Sequence, residues 1–128
     1  MAFYHIYKMT ANTPRTRKAK GRGFQDSVHA DILATFPDLT EHDVKKSIMG
    51  ECGIDIKLST HARKLFPYAV ECKNVEKINI WSTIKQCEEN AIKEQLTPLV
   101  VFKRNRSEPH VVLKWEDFLK LISSKSLI

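Results

Sequence analysis

The chain has 128 residues, 42% hydrophobic and 28% charged, with a formal net charge of +6. That is room for one domain with a real core and too little for two, in the composition range of soluble globular proteins. No apolar stretch approaches the roughly 18 residues of a membrane span, and the first residues lack a signal-peptide pattern, so no membrane partner and a cytoplasmic location are expected.

Residues 1–14 have some strand character (Phe3, Tyr4, Ile6, Tyr7) and end in Ala-Asn-Thr-Pro, which reads as an N-terminal arm before a single domain over 15–128. A basic linker follows, with Arg15, Arg17, Lys18, Lys20 and Arg22 and no acid among them. Phe24, Val28 and Ile32 then recur every fourth residue, with Leu33 widening the stripe, and predict a helix from about Arg22 to Phe36 that Pro37 closes. Thr40-Glu-His-Asp43 has the form of an N-cap followed three residues later by an acid, and predicts a short helix through Val44 to Ser47. Met49 to Gly53 reads as a turn.

Ile54, Ile56 and Leu58 alternate with Asp55 and Lys57, the pattern of a half-buried strand. Ser59 can cap a helical segment from Thr60 to Leu65, and residues 68–73 form the next strand. A helix over about Ile80 to Glu94 carries Ile80, Ile84, Cys87 and Ala91 in one stripe. Pro98 to Phe102 reads as a buried strand, Lys103-Arg104-Asn105-Arg106 as a basic turn, and His110 to Leu113 as another strand. Trp115, Phe118, Leu119 and Ile122 mark the last helix. Helix, strand, strand, helix, strand, strand, helix describes an α/β architecture, a mixed sheet flanked by helices.

The cysteines, Cys52, Cys72 and Cys87, are odd in number and form no CxxC pair, which argues against a disulfide framework and a structural zinc site. Reduced and mostly buried thiols are expected, and Cys52 with His61 is only half of a metal site. Two acid-free basic runs in a small basic domain point to a polyanion, with nucleic acid preferred over an anionic membrane because no amphipathic basic helix is present.

Chemistry concentrates around Tyr68-Ala-Val-Glu-Cys-Lys73. Alternation puts Glu71 and Lys73 on one face of the strand, and Cys72 with Val70 on the other, toward the core. If strands 54–58 and 69–73 pair as a hairpin, Asp55 lies beside Glu71 and Lys73. Two converging carboxylates are hard oxygen ligands suited to Mg²⁺ or Mn²⁺, and the set suits attack of water on a phosphodiester. An acid-x-lysine triplet alone is more often a solvated, cross-strand-paired surface. The preceding acid, the following helix and the basic chain favour catalysis.

Gly53-Ile-Asp55, then Glu71-Cys-Lys73, then Gln86 on the next helix resembles the PD-(D/E)xK nuclease superfamily. Lys20-Gly21-Arg22-Gly23-Phe24, opening onto the first helix, is similar to archaeal-type Holliday junction resolvases and related small phage-encoded nucleases. The likeness spans about residues 18 to 122 and implies a restriction-endonuclease-like fold, in the host cytoplasm if phage-encoded. It implies that Asp55 and Glu71 are metal ligands with the backbone carbonyl of Cys72. Lys73 is the implied catalytic lysine, Gln86 a positioner of water or phosphate, and Mg²⁺ the cofactor, with Mn²⁺ a substitute.

Resolvases add a first-helix glutamate four residues after the glycine of the basic motif. That position here is Gln25, a departure that supplies an oxygen without charge; Asp26 points about 100° away around the helix. By the same resemblance, Arg15, Arg17, Lys18, Lys20, Arg22, Lys103, Arg104 and Arg106 track phosphates, and a homodimer nicks a four-way DNA junction twice. His29, His61 and His110 are expected to be incidental. Two other readings remain: a general or repair nuclease without junction selectivity, and a non-catalytic nucleic-acid-binding protein, which the Gln25 departure favours.

Overall fold

The structure, a computed structural model, describes residues 13–48 and 50–126. The first helix, α1, runs Pro14–Thr35 and begins eight residues before the expected start. Thr13 is its N-cap: Thr13 and Thr16 each accept the other's backbone N–H on a side-chain oxygen, and Pro14 occupies the first turn. Residues 15–22 are therefore helical and not a linker. Residues 1–12 of the expected arm lie outside the described residues.

Residues 44–46 are a strand, β1 (Val44–Lys46), where a helix was expected. The local signal at Thr40 is real, since Asp43 Oδ2 accepts its backbone N–H at 3.0 Å. The turn does not propagate, because Asp43 Oδ1 accepts the Ser59 hydroxyl and Val44, wholly buried, pairs opposite Leu58 of β2 (Ile56–Leu58). Burial of Val44 outweighs a single capped turn.

Helix α2 (Thr60–Leu65) and helix α3 (Ile80–Glu94) have the expected limits. Strand β3 (Tyr68–Asn74) lies parallel to β4 (Thr97–Lys103), with α3 as the crossover, and β5 (His110–Val112) adds antiparallel on the far side of β4. The strands form two small sheets, β1-β2 and β3-β4-β5. The expected hairpin between 54–58 and 69–73 is absent: β2 pairs with β1, and the only described backbone bond across to β3 is from Asp55 N–H to the Val70 carbonyl, at 3.1 Å.

Phe24, Val28 and Ile32 of α1 pack with Val44, Ile56, Leu58 and Val70 in the main core. On the opposite face of β3, Ala69 joins Ile54 and Ala91 of α3 in a smaller cluster. Helix α4 (Trp115–Ser126) closes the described chain, and its stripe of Trp115, Phe118, Leu119 and Ile122 is exposed. Among the described residues no helix is long and apolar enough to cross a membrane.

Candidate active site

Gly53 has φ 109°, a conformation that residues with a Cβ rarely adopt, and it turns the chain so that Ile54 enters the small cluster. The next residue, Asp55, is held on several sides. Its carboxylate Oδ2 accepts the Cys72 N–H at 2.7 Å, so a side chain takes the rung that a strand carbonyl would otherwise fill. Its own carbonyl accepts the Ser47 N–H and the Gln25 side-chain amide, each at 2.9 Å. The flanking Gly53 carbonyl accepts from Asn90 Nδ2 of α3 at 3.3 Å.

Alternation along β3 sends Val70 and Cys72 toward the main core and Ala69, Glu71 and Lys73 toward α3, as expected. Glu71, however, is not at the surface: it is 5% exposed. Burial and the nearby Asp55 charge push its carboxyl up to about 7, against the opposing pull of Lys73. Asp55 is also raised, chiefly by burial, while the Cys72 N–H and the Lys73 charge pull it down. Lys73 Nζ stands 3.9 Å from Glu71 Oε1 and is about one-third exposed. Burial, followed by the Asp55 and Glu71 charges, raises the Cys72 thiol and keeps it protonated. Cys87, pushed up to about 11 mainly by burial, points its Sγ at the Ala69 carbonyl, while Cys52 is exposed.

Asp55 and Cys72 form one wall of a cleft of about 670 Å³ whose other walls include Lys18, Arg22 and Gln25 of α1, and Lys46 and Ser47 at the end of β1. Glu71 and Lys73 do not line this cleft; they lie on the α3 side of β3, and Asp55, on the cleft wall, interacts with both of their charges. Asp26, also on the cleft wall, is paired with Lys46 at 2.9 Å. Arg15, Lys18 and Arg22 follow one stripe of α1, while Arg17 and Lys20 turn away from it. The turn carrying Lys103, Arg104 and Arg106 abuts the end of β3. There, Val75 N–H donates to the Lys103 carbonyl at 3.1 Å, and Asn105 N–H to Glu76 Oε2 at 2.7 Å.

Gln86 is exposed on α3 and makes no hydrogen bond to Asp55, Glu71 or Lys73 among the described residues. It lies one turn from both Thr83 and Asn90, on the side of α3 that reaches Gly53. His29 and His110 are engaged with the carbonyls of Val44 and Glu108. Ser47 and Asn90 were not singled out from the sequence. The sequence predicts Ser47 within a short helix that does not form, and an asparagine one turn after Gln86 is a weak signal.

Among the described residues no group of three or more His, Cys, Asp or Glu side chains is placed to hold a metal. A site here would rest on two carboxylates and a main-chain oxygen. Those groups fit a hard divalent cation: both acids are oxygen donors, and burial leaves each short of compensating positive charge.

An acid ahead of one strand and an acid-x-lysine on the next, in an α/β fold of two small sheets flanked by helices, is the arrangement of the PD-(D/E)xK nucleases. A family model described as phage putative PDDEXK endonuclease matches residues 15–127, and the chain belongs to that family. The chain matches neither a curated protein nor a solved structure.

Proposed function

We propose that the protein is a Mg²⁺-dependent, structure-selective DNA endonuclease, a Holliday junction resolvase that hydrolyses phosphodiesters at branched DNA, with Mn²⁺ able to substitute. The observation that carries this reading is that Asp55 lines a cleft walled by Lys18 and Arg22 and also interacts with the charges of the buried Glu71 and of Lys73. Asp55, Glu71 and the Cys72 carbonyl would hold the cation. When bound, the cation would supply positive charge against the negative charge that builds on the phosphate in the transition state.

The remaining work falls to the chain. Lys73 offers N–H donors to the attacking water or the scissile phosphate from 3.9 Å beside Glu71. Gln86 would orient water or phosphate from the α3 side. Arg15, Lys18 and Arg22, with Arg17 and Lys20 beside them, would follow phosphates along α1, and Lys103, Arg104 and Arg106 would do so from the turn beyond β4. Each phosphate neutralised releases counterions and makes binding salt-sensitive. Resolving a four-way junction takes two cuts, and a homodimer would supply two sites.

Cleavage in Mg²⁺ of a four-way junction and of a linear duplex of matched sequence, with Glu71→Gln beside wild type, tests the reading. Preferential cutting of the junction, lost in Glu71→Gln, is expected. Equal cutting of both substrates removes junction selectivity, and an unaffected Glu71→Gln removes the mechanism.

A further inference from the structure

Gln25 stands where the related resolvases place a metal-binding glutamate, yet its contacts describe another role. Its amide nitrogen donates to the Asp55 carbonyl at 2.9 Å and to Ser47 Oγ at 3.0 Å. A backbone carbonyl can only accept, so the end of the amide that faces Asp55 must be the NH₂. The same carbonyl accepts the Ser47 N–H, so α1, the end of β1 and the Asp55 segment meet at one oxygen. Asp55 in turn directs Oδ2 to the Cys72 N–H of β3. A glutamate in place of Gln25 would set a carboxylate oxygen against an acceptor and would have no proton to give.

We infer that Gln25 is a positioning residue that fixes Asp55 from behind, with one N–H donated to the Asp55 carbonyl and the other to Ser47, so that glutamine, not glutamate, is what this site requires. The inference rests on the nuclease reading for its consequence in cleavage, but its geometry stands apart from that reading. Gln25 acts through Asp55: the helix that carries the basic stripe also sets the carboxylate, which couples α1 to the site. Ser47 shares the role, since it contacts both Gln25 and the Asp55 carbonyl.

Amide hydrogen exchange and single-turnover cleavage on wild type, Gln25→Glu, Gln25→Ala and Ser47→Ala test this. Gln25→Glu keeps the shape of the side chain but removes the donors and adds a carboxylate charge, whereas Gln25→Ala removes the donors without adding charge. Exchange at the Ser47 and Cys72 amides should rise about tenfold in both Gln25 variants, while amides in α3 stay as in wild type. Ser47→Ala should give a smaller rise, since it removes one of the two acceptors. Cleavage should fall together in Gln25→Glu and Gln25→Ala, with the glutamate no better than the alanine. Unchanged exchange at both amides would overturn the inference. So would a Gln25→Glu protein that binds Mn²⁺ more tightly by calorimetry and cuts as fast as wild type, the result expected of a metal ligand. If wild type cleaves nothing, the nuclease reading fails while the exchange comparison still decides whether Gln25 holds Asp55.

Discussion

The segment around Asp55 and helix α4 are both short stretches of mixed polarity, and they are held in opposite ways. Asp55 sits outside any strand ladder, yet its backbone and carboxylate bond to residues from α1, the end of β1 and β3. Helix α4 is regular, but Trp115 is 70% exposed, and Lys120 pairs with Glu116 and Ser124 with the Leu121 carbonyl within the helix itself. Long-range polar contacts hold the site, whereas these α4 contacts are local to the helix. Burial follows the first pattern: Glu71, next to Cys72, is carried into the interior at a cost in charge, while apolar α4 residues remain in water.

Substitutions at the two ends should therefore separate sharply. The largest effect is expected on catalysis. Lys73→Met should slow cleavage by about 10²–10³-fold, the scale of losing one transition-state-stabilising group, with the fold intact by circular dichroism. On stability, Ile56→Ala, at a wholly buried position between the two ends, should cost about 2–5 kcal/mol in denaturant unfolding.

The Glu71 carboxyl gives the next effect. Its folded value of about 7 lies above the ordinary 4.5, so the folded protein binds the extra proton between those values. Stability of the metal-free protein should be highest below pH 4.5 as far as this group is concerned, and should fall through about pH 7, by roughly 3 kcal/mol at most. Glu71→Gln should flatten that fall in unfolding curves taken across the range. Trp115→Ala should be the mildest change, within about 0.5 kcal/mol, as for exposed positions away from caps and cores. A cost there comparable to that of Ile56→Ala would erase the contrast between the two regions.

The same contrast explains what the sequence disclosed. Helices α2 and α3 were legible to the residue, because a serine cap and an apolar stripe act within one segment. The α1 start is not legible from periodicity, because the residues 14–22 that extend it are basic and carry no apolar stripe; only the Thr13-Pro14 cap marks it. Val44 to Ser47 was misread because a local cap competed with burial against β2, and only the fold decides that contest. At the site, the periodicity of β3 placed Glu71 and Lys73 on one face and Cys72 on the other. It could not show that Asp55 would reach β3 through its side chain, or that Gln25 would supply the donors that hold it. Nor did the α4 stripe disclose exposure: period 3.6 specifies a helix, whereas burial needs a neighbour.

The central claim is that Asp55 and Glu71, each of which feels the other's surroundings through burial and charge, serve one cation. Calorimetric titration of Mn²⁺ into the protein without DNA at pH 8, above the Glu71 value of about 7, tests it most directly, with Asp55→Asn and Glu71→Gln in parallel. One ion per chain in wild type, with binding lost or weakened at least about tenfold in each variant, is the predicted result. Wild type that binds no Mn²⁺, or either variant binding it as well as wild type, would contradict the account.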